Sequence, residues 1–341
     1  MIPIQSSEKQ YGIFQQSVFG TAAADNVAAI RMACDGFTIP ADSKIRKNST
    51  AHGSRVPVYA DYTYLVGGAQ PKFTISGYLN RNFADILLAG CCQSVVESGT
   101  TVQKKIFKLA TSQPDFKSNA GYFFTVFERY PTAAQSYKTK DCICTSLTIS
   151  SDSGDGAKIK AEMIGKGLKI ASTPSGTWVD PALLLHDGAT SAFLENEFRT
   201  RFTLDLGGGV ISPSPALKSW DIVIPIVVEG IGADGAGGFE QLGYSIGDPT
   251  YKLVVAYDAN TKTAQDNAPT GLPVAVRIGY GNATAGTDDG DFDIVFTGLP
   301  DDPKPGNDKI IYTELSGKIV APNAATDALT ITMANYSDRN W

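Results

Sequence analysis

The chain has 341 residues, enough for about two domains of ordinary size. It carries 29 Lys and Arg against 35 Asp and Glu, a formal net charge of −6, whereas proteins that grip nucleic acid normally have a basic excess. We therefore expect no tight DNA or RNA binding. The 34 glycines and 18 prolines, with frequent Val, Ile, Thr and Tyr, are typical of a mainly β protein with many turns.

The sequence shows no pattern typical of secretion or of membrane insertion. Its first ten residues lack a basic segment followed by an apolar stretch. The most apolar run, Ile222 to Val228, is short and contains Pro225. We expect a protein made in the cytoplasm, with no membrane span.

The first 68 residues predict little regular structure. Tyr11 to Ala33 predicts an extended arm and then a short strand near Ala28 to Ala33, and Asp35 to Pro40 predicts a turn and a brief strand. Ser43 to Gly68 predicts a long projecting loop or hairpin, because its strand-like part is interrupted by Pro57. Its tyrosines suit an interface, where aromatic residues with a polar tip are enriched.

Regular elements follow this loop. Pro71 to Leu79 alternates apolar and polar residues and predicts a strand. Residues 80–93 predict one packed helix, because Phe83, Ile86, Leu87 and Cys91 recur at three- and four-residue spacing. Two further strands are predicted at Lys104 to Leu109 and at Gly121 to Arg129.

Asp141 to Gly167 predicts a long antiparallel hairpin. Apolar residues alternate with polar ones on both sides of the turn-forming sequence SDSGDG. In the second arm, Lys158, Lys160 and Glu162 fall on the wet face; in the first arm, Cys142, Cys144, Ser146 and Thr148 share one parity. A hairpin of this length, polar on one face, suggests a scaffold that lines or bridges something.

Proline, glycine and acidic residues cluster in Pro174 to Phe198, and we place a domain boundary there, between residues 1–175 and 176–341. The second half predicts its own sandwich or barrel of seven strands. These strands are Phe198 to Leu206, Trp220 to Glu229, Tyr251 to Asp258, Pro273 to Gly279, Phe292 to Thr297, Ile310 to Val320 and Ala328 to Ala334. The last two form a strand–turn–strand pair that parallels the hairpin of the first half, but residue identity alone is too low to establish a repeat.

The sequence offers no catalytic constellation, so we predict no enzyme, no cofactor and no metal. The two histidines lack a suitable partner: His52 is in a loop, and His186 precedes Asp187 directly, which is poor geometry for a relay in a strand. The five cysteines predict small packing residues, and the glycine-rich loops lack a phosphate-binding pattern. Asp152 with Asp155, and the run Asp288 to Asp293, lack the ligand spacing of an EF-hand and predict solvated turns.

The order of these pieces resembles the tail tube proteins of long-tailed bacteriophages. The resemblance rests on three stretches and covers about the first 170 residues. The stretches are VFGTAAADNVAAIRMACDGFTIP, then RVPVYADYTYLVGGAQPKFTISGYLNRNFADILLAGC, and TKDCICTSLTISSDSGDGAKIKAEMIGKGL. The resemblance implies an antiparallel β-sandwich or barrel with one packed helix, followed here by a second all-β domain. That second domain is either a duplicated tube domain or a decoration.

The resemblance also implies a function as a structural virion protein of the phage tail. Such proteins assemble with themselves into stacked rings that form a conduit for genome ejection. Two tube domains per chain imply trimeric, pseudo-hexameric rings, and one implies hexamers. Further partners would be other tail proteins, such as the tape measure and terminator, and DNA would pass through the lumen without specific binding.

Two groups of residues receive roles from this resemblance. The long loop would reach the adjacent ring, through Arg55, Tyr59, Asp61, Tyr62 and Tyr64. The hairpin would face the channel or a neighbouring subunit, through Ser146, Thr148, Lys158, Lys160 and Glu162. The alternative is a β-sandwich that binds a ligand or glycan, or an adhesin-like module, with Tyr59, Tyr62 and Tyr64 as its recognition patch.

Overall fold

A computed structural model shows a mainly β protein built from antiparallel strands, with one α-helix among the residues it describes. These residues are 9–17, 19–32, 34–40, 44–47, 62–65, 70–79, 81–98, 104–109, 123–131, 136–152, 157–178, 202–205, 216–231, 241–257, 261–262, 271–280, 292–301, 304–305, 312–323 and 327–334.

The described part of the first half contains ten strands and the helix. The elements are β1 (Gln10–Gln15), β2 (Ile30–Arg31), β3 (Lys44–Lys47), β4 (Tyr62–Leu65), β5 (Lys72–Tyr78), α1 (Arg81–Cys92), β6 (Gln93–Ser98), β7 (Lys104–Leu109), β8 (Phe124–Arg129), β9 (Tyr137–Ser151) and β10 (Lys158–Ala171).

The described part of the second half contains nine strands. They are β11 (Thr203–Asp205), β12 (Leu217–Ile231), β13 (Gln241–Ile246), β14 (Thr250–Ala256), β15 (Val274–Tyr280), β16 (Phe292–Pro300), β17 (Lys304–Pro305), β18 (Tyr312–Ile319) and β19 (Leu329–Ala334). A helical turn at Thr261 and Lys262 follows β14.

Two series of paired strands each cross from one half of the chain to the other. Sheet I has the order β5–β10–β9–β12–β14–β18, and its halves meet at the β9–β12 pair. Sheet II has the order β6–β7–β19–β16–β15–β11, and its halves meet at the β7–β19 pair. Strands β2, β1 and β8 continue from the first part of β9. Buried apolar residues of both halves form one core cluster, so the halves share their interior.

Strand β9 changes its partner partway along. Its first part pairs with β8, its last part pairs with β12, and β10 runs along its other edge throughout. Within the part that pairs with β8, at a shift of register between the two strands, Asp141 adopts a φ of 50°, which few residues other than glycine, asparagine and aspartate tolerate. Gln16 holds it there: the Asp141 N–H donates to Gln16 Oε1 at 2.7 Å, and Asp141 Oδ1 accepts from Gln16 Nε2 and from the Gly20 N–H, both at 2.8 Å.

Helix α1 packs over the core beside β6, β7 and β9. Burying each of its leucine or isoleucine side chains is worth roughly 1.5–3 kcal/mol, and Ile86, Leu87 and Leu88 are all buried. Gly90 lets the helix approach β8, because a Cβ at this position would collide with the ring of Phe124. The apolar stripe in the sequence thus marked both the helix and its buried side.

The structure confirms the mainly antiparallel β fold, the helix and the long β9–β10 hairpin. The extended arm predicted near the N-terminus is wrong, because Gln10–Gln15 pairs along its full length with β8. The brief strand predicted at Asp35 to Pro40 is also wrong: this segment carries no strand, and its backbone makes one hydrogen bond to β5, from Asp35 N to Ser76 O at 2.7 Å. The sequence prediction missed β6, β13 and β17.

The predicted strand pair at the end of the chain has a different arrangement. Strands β18 and β19 do not pair with each other, because both lie along β16. The domain boundary near residue 175 stays a prediction, and the described strands show that residues on its two sides pair in both sheets.

Candidate assembly surface

One face of sheet I is solvent-facing and mostly polar across all six strands, and we call it the polar face. Side chains alternate along each strand, so the other face is apolar and buried, as at Ile159, Leu147 and Ile222. Residues of the polar face are exposed or half-buried. They are Thr74, Ser76 and Tyr78 on β5, Lys158, Lys160 and Glu162 on β10, Ser146, Thr148 and Ser150 on β9, Asp221, Val223 and Pro225 on β12, Thr250, Lys252 and Val254 on β14, and Glu314, Ser316 and Lys318 on β18.

The five hairpin residues singled out from the sequence all lie on the polar face. Lys160 is opposite Thr148, and Glu162 is opposite Ser146. Thr148 in turn is opposite Val223 of the second half. The structure therefore brings this predicted set together and extends it into strands that the sequence did not connect with it.

The first arm of the hairpin departs from the expected alternation. By parity Cys142 and Cys144 share a side with Ser146 and Thr148, yet both are buried, as expected of packing residues, and so is Ile143 between them. The register of β9 shifts beside Cys144, so strict parity is lost at this point. Ser146 and Thr148 lie beyond the shift and keep their place on the polar face.

Positive and negative charges are interleaved on the polar face. Lys160 pairs with Glu162 at 3.0 Å, and Lys252 pairs with Glu314 at 2.8 Å. Lys318 pairs with Asp248 beside the face at 2.6 Å, and this hydrogen bond raises the pKa of the exposed Lys318 ammonium. Exposed pairs of this kind contribute little to stability. Their effect is to leave a surface without a strong field of one sign.

A pocket of about 390 Å³ opens where the polar faces of the two halves meet. Its lining residues are Ser150, Ser151, Asp152, Lys158, Ser219, Trp220, Asp221 and Lys252. Burial raises the pKa of the Asp221 carboxyl, and the nearby Lys252 ammonium opposes that shift. With two lysines and two aspartates around it, the pocket does not select an anion or a cation by charge.

Thiol chemistry is unfavourable at four of the described cysteines. Burial raises the pKa of Cys34 and of Cys92 to about 12. Burial likewise raises the pKa of Cys91 and Cys142. These thiols are neutral at physiological pH, and the sequence prediction of packing residues is confirmed for the four buried ones.

The structure describes only some of the remaining predicted site residues. Tyr62 and Tyr64 lie on β4, opposite Lys47 and Ile45 of β3. Arg55, Tyr59 and Asp61 lie outside the described residues, as do His52 and His186.

Of the acidic residues predicted to lie in solvated turns, Asp155 and Asp288 lie outside the described residues, and Asp152 is exposed. Asp293 is not in a solvated turn, because it is buried on β16 and accepts from Arg277 Nη2 at 2.9 Å. Among the described side chains, no group of three or more His, Cys, Asp or Glu is placed to hold a metal ion.

Sequence reasoning missed the second-half part of the polar face. Its local signal was present, since Tyr251, Leu253 and Val255 alternate with Thr250, Lys252 and Val254. What the sequence did not show is that β12 joins β9, a contact between residues about seventy positions apart.

Comparison with known families and proteins assigns no role to this surface. No protein-family model matches the chain, and a search of curated proteins finds no match. In the part of the chain that the structure describes, no helix combines the length and apolar character that crossing a bilayer requires.

Proposed function

We propose that the protein is a structural component of a phage tail, which assembles with itself into stacked rings that form the tail tube. The observation that carries the proposal is the polar face: a six-stranded sheet spans both halves of the chain, with one side in the core and the other polar. A sheet of this form is suited to be one sector of a channel wall. The resemblance of the first 170 residues to tail tube proteins points the same way.

The charge of the polar face suits a conduit for DNA. A wall of unpaired lysines would bind phosphate and hold the duplex, because phosphate contacts dominate the affinity of proteins for DNA. Here Lys160 and Lys252 are each paired with a glutamate on the same face. DNA would therefore pass this surface without specific binding, and other tail proteins would meet the ends of the tube.

The alternative function, a glycan-binding module, was predicted from Tyr59, Tyr62 and Tyr64, and the pocket on the polar face adds no support for it. Glycan sites commonly expose an aromatic ring for stacking, but Trp220, the aromatic residue in the pocket lining, is only 2% exposed. The pocket therefore offers no stacking surface from this residue.

Electron microscopy of the purified protein tests the proposal. We expect rings or hollow tubes, formed alone or with a tail initiator protein. A protein that stays monomeric at high concentration and binds a glycan would contradict it. The predicted stacking loop is tested by deleting residues 43–68, after which we expect rings or monomers that no longer stack. Normal tubes from this variant would remove the loop from the mechanism.

Gold labels test whether the polar face points into the channel. Lys160→Cys places a reactive thiol on the polar face, and Lys108→Cys places one on sheet II as a matched control. After maleimide-gold labelling and assembly, we expect gold along the tube axis for Lys160→Cys and away from the axis for Lys108→Cys. The wild-type protein measures labelling of the native cysteines, and gold on the outer wall for Lys160→Cys would contradict a channel role.

A further inference from the structure

The two halves pair five strands in the same order. In the first half the order is β1–β8–β9–β10–β5, and in the second it is β11–β15–β16–β18–β14. All eight pairings are antiparallel, and the five strands also follow one another along the chain in the same sequence. Helical structure comes after the matching strand in each half: α1 after β5, and the turn at Thr261 and Lys262 after β14.

An irregularity of register also recurs at the same place. Between Ile143 and Thr148, β9 carries one residue more than the segment of β10 with which it pairs. Between Leu299 and Lys304, the second half carries one residue more than the segment of β18 opposite. One extra residue at the same position in both halves is hard to obtain from two unrelated sheets, because such irregularities depend on local geometry.

Beside the extra residue, each half has a polar contact to the corresponding backbone carbonyl, although the donor differs. In the first half the Thr145 hydroxyl donates to the Glu162 carbonyl at 3.1 Å. In the second half the Asp301 N–H donates to the Ser316 carbonyl at 2.7 Å. Register makes Thr145 the counterpart of Asp301, and Glu162 the counterpart of Ser316.

We infer that the chain contains two copies of one β unit, and that the joint between them, β9 with β12, is repeated between neighbouring chains. This inference rests on the proposed function, since it describes how copies would meet in a ring. With two units per chain, a ring of six units closes with three chains. Every joint around the ring would then use the same pairing, one within each chain and one between chains.

The correspondence identifies one side of the joint between chains. In the second half, β12 precedes β14, runs beside it, and offers its other edge to β9. In the first half, residues 35–40 have the same place before β5, with Asp35 bonded to Ser76. Phe37 and Ile39 point inward there, as Trp220 and Ile222 do on β12.

Among the described residues, no strand pairs with the outer edge of residues 35–40. Within the described part of the chain, the backbone groups of Gly36 and Thr38 form no hydrogen bond with other backbone groups. The backbone groups of Phe37 point to the opposite side, where its N–H donates a hydrogen bond to the Tyr11 hydroxyl and its carbonyl accepts one from that hydroxyl. An edge of this kind accepts a strand from another chain.

The other side of the joint is β17. It is the counterpart of the last part of β9, because both lie beside the start of the matching strand, β18 or β10. Within the chain, Thr148 of β9 meets Val223 of β12. The corresponding pair between chains is Lys304 of one copy with Pro40 of the next.

A disulfide test distinguishes this joint from other ways of assembling. The variant Pro40→Cys with Lys304→Cys is assembled and oxidised, and we expect covalent species that end at three chains under denaturing conditions. Directly opposed residues on antiparallel strands satisfy the geometry of a disulfide. Thr148→Cys with Val223→Cys is the matched control, in which the bond forms within one chain and reports correct folding. Thr38→Cys with Lys304→Cys, displaced by two residues, is expected to cross-link less.

The outcomes separate this inference from the proposed function. Rings or tubes that form without the cross-link between chains, while the control disulfide forms, would overturn the joint and leave the tube function standing. Cross-linked species that end at six chains, or that form an unending ladder, would overturn the three-chain ring. A folded protein that never assembles would overturn the proposed function, and the joint with it.

Discussion

The two halves of the molecule solve one geometric problem in different ways. In each half, a strand must stay paired with a neighbouring strand past the point where that neighbour's pairing becomes irregular. The first half uses a continuous β10 with shifts of register, and it places Asp141 at positive φ in the facing strand. The second half divides the corresponding path into β18 and β19, with residues 320–328 between them. The pairing order is the same, so the order does not depend on how the chain crosses the irregular point.

The comparison also shows where the halves are held together. Two of the lysines on strand β7 have different partners: Lys105 pairs within the first half with Asp85, and Lys108 pairs with Asp327 of the second half. The first pair is almost fully buried and the second is about one-third exposed. The internal pair and the pair between halves should therefore differ in energy.

Removing the buried lysine is expected to have the largest effect. Lys105→Ala leaves the Asp85 carboxylate buried with its ion partner removed, which costs about 3–5 kcal/mol in the free energy of unfolding. Lys108→Ala is the control on the same strand and should cost less than about 1 kcal/mol. Urea denaturation measures both, and equal losses would show that burial does not govern these pairs.

Proline substitution compares the two matching strand positions directly. Thr148 has strands on both sides, so Thr148→Pro removes ladder hydrogen bonding in the middle of sheet I and should cost roughly 1–3 kcal/mol or more. Lys304, its counterpart, is paired with β18, and among the described residues with no other strand. Lys304→Pro should leave the melting temperature nearly unchanged and yet impair assembly. A large loss of stability in Lys304→Pro would contradict the open edge at β17.

Asp141 tests the way in which the first half crosses its irregular point. Asp141→Ala removes the acceptor of the Gly20 N–H and of Gln16 Nε2, and it places alanine at positive φ, so we expect a loss of roughly 1–3 kcal/mol. Asp141→Asn keeps an acceptor oxygen and tolerates this backbone conformation, so its loss should be smaller. Similar losses in the two variants, measured by thermal unfolding, would show that this carboxylate is not the anchor.

The smallest expected effect concerns Asp25, which ties the segment after β10 to the first half. Burial raises the pKa of this carboxyl, but hydrogen bonds from Lys138 and Ser172 outweigh burial and lower the pKa to about 2. The stabilisation is complete above the ordinary carboxyl pKa and is lost as the pH falls from about 4 towards 2. Because the side chain is partly exposed, we expect about 1 kcal/mol. Asp25→Asn should remove this part of the acid dependence, and an unchanged profile would contradict the assignment.

Much of the fold follows from local pattern, and the candidate surface follows only in part. Alternation placed Lys158, Lys160 and Glu162 on one face, and a three- and four-residue stripe placed α1, because both patterns report burial within a single element. Parity failed at Cys142 and Cys144, since a shift of register depends on the facing strand. The β9–β12 and β7–β19 pairs had no local signal at all, because strand pairing over long separations is decided by the packed core.

The β9–β12 and β7–β19 pairs affect how the chain unfolds and how soluble its parts are. Each half covers an edge of the other, β9 beside β12 and β7 beside β19. We therefore expect one cooperative heat-absorption peak rather than two. A chain cut between the halves would leave four bare strand edges in place of two internal seams, and bare edges recruit other chains. The two strand pairs between the halves therefore affect folding and solubility together. We expect either half to associate with other chains when it is produced alone.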